Sequence, residues 1–207
     1  MAMVFHFQAT DESHTARVQE FQQDVAADIG NCIRRHITTG DPAGLSQATY
    51  YELRSKVADW LELHPSAIVV VGSCRTGFTI KPNKRYSPFA SASDIDVAVV
   101  SAWLFDNMWD DIFKATQPNR DWVLLDRQGK LLGRDLFNGW ITPEALPPLP
   151  SVEHGRTWAE WFAGLTRSRI CDRHKIRGRL YRSWSRLEQY QSHYVRLCHL
   201  AITGRHS

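Results

Sequence analysis

Two apolar runs constrain this chain more than anything else in it. Ala67-Ile68-Val69-Val70-Val71 is continuous and β-branched, which predicts a buried central strand. It runs straight into Gly72-Ser73. The second run, Asp94-Ile95-Asp96-Val97-Ala98-Val99-Val100, predicts another strand that opens with two carboxylates. Side chains alternate along a strand, so Asp94 and Asp96 share one face while Ile95 and Val97 turn to the other. Acids inside an apolar strand cost stability unless cations neutralise them. Two carboxylates about 7 Å apart at a strand end are suited to a hard divalent cation. Gly72 lets a phosphate approach the backbone, and Ser73 offers a hydroxyl and an amide to its oxygens.

The rest of the chain frames these strands. Apolar positions at helical spacing predict helices over 11–37, 46–63 and 103–116. Trp122–Leu125 and Lys130–Phe137 read as two short strands joined at a turn, Asp126–Gly129. Four prolines make 143–150 an extended linker, followed by helices over 154–166 and 175–202. The expected fold class is α+β, with a small mixed β-sheet. Residues 1–150 would form a core with N-terminal helices, and 151–207 a basic helical extension packed on it as one unit.

Composition narrows the function classes. At 207 residues, 43% hydrophobic and 23% charged, the chain has the usage of an ordered domain and is long enough to bury a core. No apolar stretch reaches the roughly 18 residues that a spanning helix needs. Met1–Phe7 has no basic region before an apolar run, so a secretory signal is not expected. The cysteines Cys32, Cys74, Cys171 and Cys198 never form a CxxC, which argues against a zinc site or a disulfide framework. The expectation is a soluble, reduced, cytoplasmic protein with no membrane partner. HExxH, Gly-x-Ser-x-Gly and Walker A patterns are absent.

Charge is unevenly spread although the net formal charge is only +3. Asp94 to Glu160 holds eleven acidic residues against six basic, whereas Arg167 to Arg186 holds eight basic and one acidic. Of the 25 cationic residues 19 are arginine, the side chain suited to bidentate phosphate contact. Arg179, Arg182 and Arg186 recur at three- and four-residue steps, so on a helix they would share a face that could track an RNA backbone. A solvated helix face is the plain alternative. Trp158, Trp161 and Trp184 lie near this basic stretch, where core packing is the commoner role and base stacking the rarer. Arg169-x4-His174 resembles the ribonuclease signature of HEPN domains, but a chain with 19 arginines and nine histidines contains about one such pair by chance.

The apolar strand ending in Gly72-Ser73, with Ser93-Asp94-Ile95-Asp96 on the next strand, resembles the DNA polymerase beta superfamily of nucleotidyltransferases. The resemblance covers about residues 66–140. It implies transfer of a nucleoside monophosphate from an NTP to an acceptor hydroxyl, with RNA, tRNA included, favoured by the arginine stripe. A protein hydroxyl, an antibiotic or a second nucleotide are the alternative acceptors. It also implies two Mg²⁺ ions (Mn²⁺ in their place) held by Asp94, Asp96 and a third acid on a later strand. Asp135, 39 residues after Asp96, is the candidate for that acid, with Asp126 and Glu144 as alternatives. Gly72, Ser73 and Ser93 would meet the nucleotide. The sequence departs from the family in that Asp94 lies 21 positions after Ser73, longer than the usual spacing. That insertion reads as a flexible basic flap whose Lys81, Lys84 or Arg85 would contact the triphosphate. A second class of function is a catalytically silent member of the fold, acting as an RNA-binding or toxin–antitoxin partner module.

Overall fold

The computed structural model describes residues 11–117, 127–142, 146 and 153–204. The fold is α+β. Among the described residues the strands β1 (Ile68–Val71), β2 (Ile95–Val100), β3 (Trp140–Ile141) and β4 (Ile176–Tyr181) form one mixed sheet in the order β1-β2-β4-β3. β1 pairs antiparallel with β2, β2 parallel with β4, and β4 antiparallel with β3. The helices are α1 (Asp11–Ala27), α2 (Ile29–Ile33), α3 (Gln47–Leu61), α4 (Gly72–Thr76), α5 (Ala102–Thr116), α6 (Arg127–Asn138), α7 (Glu153–Ser168) and α8 (Trp184–Thr203). A short π-helical segment, Arg34–Thr38, follows α2. Side-chain caps set several starts: Asp28, Ser46, Ser101 and Ser183 each accept a hydrogen bond from a backbone N–H three residues on.

Alternation along the strands divides the interior in two. Ile68, Val70, Ile95, Val97, Val99, Ile176 and Leu180 face a core closed by α3, α5 and α7, with Leu53, Met108, Trp158 and Phe162 among its members. Val69, Val71, Ala98, Val100 and Tyr181 face a second core closed by α1, α2 and α8. No described helix is long and apolar enough to cross a membrane.

Two segments differ from expectation. Lys130–Phe137 is helical, not a strand: it lies within α6, where Leu132 is buried and Leu136, one turn on, packs against the same core. The stretch from Lys175 is not one long helix either. Ile176–Tyr181 is β4, the helix begins only at Trp184, and Ser183 caps it. So 151–207 is not merely an extension, because it inserts β4 between β2 and β3. The period-two alternation of Ile176, Gly178 and Leu180 with Arg177 and Arg179 is the signal that betrays this strand. Trp122–Leu125, Asp126 and Glu144 lie outside the described residues.

Candidate functional site

The end of β1 and the beginning of β2 meet at the register pair Val71–Asp96. Gly72 follows at φ +70°, a left-handed conformation that favours glycine. A Cβ built there would stand 2.9 Å from Asp96 Oδ2, so the carboxylate rests directly against the glycine backbone. α4 then turns away, held by Gly44 N–H donating to the Cys74 carbonyl and by buried Arg75, which donates to the His36 and Gly40 carbonyls.

On the other side of β2, β4 places Arg177 opposite Asp96 and Arg179 opposite Ala98. Strand alternation therefore puts Asp96, Arg177, Arg179 and Tyr181 on one face of the sheet. Arg177 Nη2 lies 3.1 Å from Asp94 Oδ2, which brings Asp94 to the same face. Arg179 donates through Nε to Thr142 Oγ1 at 3.0 Å and lies 4.4 Å over the ring of Tyr190. Above this end of the sheet opens a cleft of about 300 Å³, lined by Gly72, Ser73, Lys81, Asp96, Arg177 and Arg179 among others, with Tyr190, Gln191 and Tyr194 of α8 opposite.

Asp96 is open to the water of this cleft, yet loss of bulk hydration raises its carboxyl above the ordinary aspartate range, and Asp94 pushes the same way. The two observations are compatible, because a carboxylate on a concave wall touches water while most of its surroundings are protein. Lys81, Arg179 and Arg177 oppose the shift without cancelling it. The Tyr181 hydroxyl is likewise pushed up by burial, so the tyrosine enters the cleft neutral. All four cysteines are free and buried, and burial pushes Cys32 and Cys171 up to about 12, which leaves no ready thiolate nucleophile.

The structure separates the sequence candidates. Asp94, Asp96, Gly72, Ser73 and Lys81 converge on the cleft or its rim. Ser93 is a strut. Its Oγ accepts from Ala90 N–H, and its carbonyl accepts from His174 Nδ1, whose ring stacks on Phe89. That contact gives His174 a structural role at the entry to β2. The insertion is a small hairpin rather than a loose flap, closed by Tyr86 N–H to Thr79 O and Thr79 N–H to Ser87 O, with Phe78 buried in the core. Lys84 is exposed on its tip, and Arg85 turns to the Leu197 carbonyl. Asp135 sits on α6, where its carboxylate pairs with Arg134 at 3.0 Å, and it does not line the cleft.

The arginine stripe also comes apart. Arg179 is in the strand and faces the cleft, Arg182 pairs with Asp106 in the turn, and Arg186 lies in the first turn of α8, bonded to Gln189. They share no helix face, because the chain changes from strand to helix between them.

No family model, curated protein or solved structure matches the chain. What the cleft does must be argued from its own residues. Asp94 and Asp96 are the described carboxylates that could hold one Mg²⁺ or Mn²⁺ at this end of the sheet. No group of three or more His, Cys, Asp or Glu that could hold a metal gathers among the described residues. The strand beside Asp96 presents Arg177 and Arg179 instead of an acid, so the described residues do not provide the three-carboxylate set for two ions. Sequence reading missed Arg177, Thr142, Tyr190, Gln191 and Tyr194, since their approach depends on how β4 and α8 pack.

Proposed function

We propose that this protein is a nucleotidyltransferase that moves a nucleoside monophosphate from an NTP to an acceptor hydroxyl. The observation that carries the reading is the seat of the Asp96 carboxylate against the Gly72 backbone, with Asp94 on the same face and Lys81, Arg177 and Arg179 around them. Ser73 and Lys81 hold phosphate oxygens, and Arg179, braced by Thr142 and Tyr190, adds a fixed cation. Asp94 and Asp96 would hold a divalent cation, which would supply Lewis-acid stabilisation of the phosphate charge. In the transfer, the acceptor oxygen bonds to the α-phosphorus and the bridge to the β-phosphate breaks. Pyrophosphate leaves, and the hydroxyl proton passes to water. The residues contribute by positioning and by countering charge.

RNA is the favoured acceptor. The support is the exposed Arg167 in the last turn of α7, with Arg169, Arg173 and Lys175 on the turn into β4, where the Lys175 carbonyl accepts from Ile95 N–H beside Asp94. A polyanionic acceptor would bind with a steep salt dependence, which a small acceptor would lack.

A second reading is a nucleotide-binding module without transferase activity. It is favoured by the ion pair that already holds Asp94 to Arg177 and by the arginines where the family resemblance calls for an acid. Calorimetry with each NTP, with and without Mg²⁺, followed by labelled NTPs with total RNA, tests both. The expected result is Mg²⁺-dependent binding that falls at least about tenfold in Asp94→Asn and Asp96→Asn, together with label transferred to RNA. Binding without transfer to any acceptor selects the module, and the absence of Mg²⁺-dependent binding overturns both readings.

A further inference from the structure

The buried stripe of α8 contains one residue that does not belong there by chemistry. Leu187, Gln191, Val195 and Cys198 recur at steps of four, four and three, and all are buried. Three are apolar. Gln191 is only 8% exposed, yet its amide is not one of the buried polar atoms left without a partner, so it is not sealed into the core. Leucine at the same step would continue the apolar stripe, so the helix packing alone does not call for an amide here. The exception falls where the stripe passes over the cleft, which Gln191 lines together with Tyr190 and Tyr194.

The same cleft is divided chemically. Its sheet wall carries Asp96, Arg177 and Arg179, with Lys81 of the hairpin at its side, which suit phosphates and a cation. Its helix wall carries two tyrosines and an amide, which suit a flat ring with polar edges. We infer that Gln191 reads the base edge of a nucleotide whose phosphates lie toward Asp96. An amide presents one acceptor and two donors, so it can pair with neighbouring donor and acceptor groups on a nucleobase. This rests on the nucleotide reading of the site and deepens it by naming the specificity residue.

The experiment is calorimetry on the full chain in Mg²⁺ with ATP, GTP, CTP, UTP and inorganic tripolyphosphate. The wild type is expected to prefer its best base over its worst by about tenfold or more. Gln191→Leu is expected to level the four affinities, leave tripolyphosphate binding unchanged and raise the melting temperature. Gln191→Glu, which as a carboxylate can only accept, is expected to shift preference toward the amino-bearing bases of ATP, GTP and CTP and away from UTP. A glutamine kept for internal packing would instead melt lower as leucine and leave the base ranking unmoved, which overturns the inference. Equal wild-type affinity for all four NTPs overturns it without any variant and leaves the nucleotide reading standing. Failure of both NTPs and tripolyphosphate to bind overturns the two together.

Discussion

The two faces of the sheet are built from the same four strands and do opposite things. One face is apolar from end to end and packs on α3, α5 and α7. The other is apolar only toward Val69, Ala98 and Val100, and ends in Asp96, Arg177 and Arg179 around an open cleft. The first face holds the fold together. The second accepts a carboxylate with reduced hydration, unfavourable for folding alone, and sets the Gln191 amide on the cleft wall. The charged residues of the sheet are gathered on one side of it, around the cleft, as a binding function requires.

The sharpest way to break this comparison is to crowd the apolar face. Gly178 has no side chain because the Phe162 ring occupies the space a Cβ would need. Gly178→Ala should therefore destabilise the protein by about 1–3 kcal/mol in urea melts, and Phe162→Leu in the same chain should recover part of the loss. Full stability of the single variant would show that the face is loosely packed.

A smaller effect of opposite sign is expected on the polar face. The folded state raises the pKa of Asp96, so in that window the folded chain binds more protons than the unfolded one and its stability falls as pH rises. Without metal, Asp96→Asn should then melt above the wild type at neutral pH. That advantage should shrink as pH drops through the raised pKa and vanish where Asp96 is protonated in both states. Thermal melts from pH 3 to 8 check this, and a lower melting temperature for the variant at neutral pH would mean that the arginines and Lys81 already overcompensate.

The smallest effect is expected just past the end of β4. Arg182 pairs with Asp106, but both side chains are more than half exposed. Arg182→Ala should leave the melting curve and the affinity for RNA unchanged within error, since exposed pairs contribute little. A loss of RNA affinity in filter binding would return Arg182 to the acceptor surface.

The strands β1 and β2 were legible because their signals are local. An unbroken β-branched run ending in Gly72-Ser73, and an Asp94-x-Asp96 alternation, need no partner to be recognised. α3 and α5 were legible for the same reason, through apolar periodicity and capping serines. Asp135 was misplaced because Leu131-Leu132 and Leu136-Phe137 suit either a short strand or an amphipathic helix. Burial of Leu132 with Leu136 decided for the helix. The arginine stripe failed differently. Charges counted at helical steps carry no information about the backbone they sit on, and the apolar alternation beneath them was the better guide.

Pleating is a property of each strand alone, so the chain by itself places Asp94 and Asp96 on one face and opposes them to an apolar core. Which strand lies on the far side of β2 is not a local property. β4 comes from more than seventy residues downstream, and its seat between β2 and β3 follows from long-range pairing and from helices covering both faces. That pairing puts Arg177 beside the acids, and the packing of α8 closes the cleft with Gln191. The charges around the carboxylates, and what they can bind, are therefore decided by tertiary structure, because contacts across such separations form only when the whole sheet does.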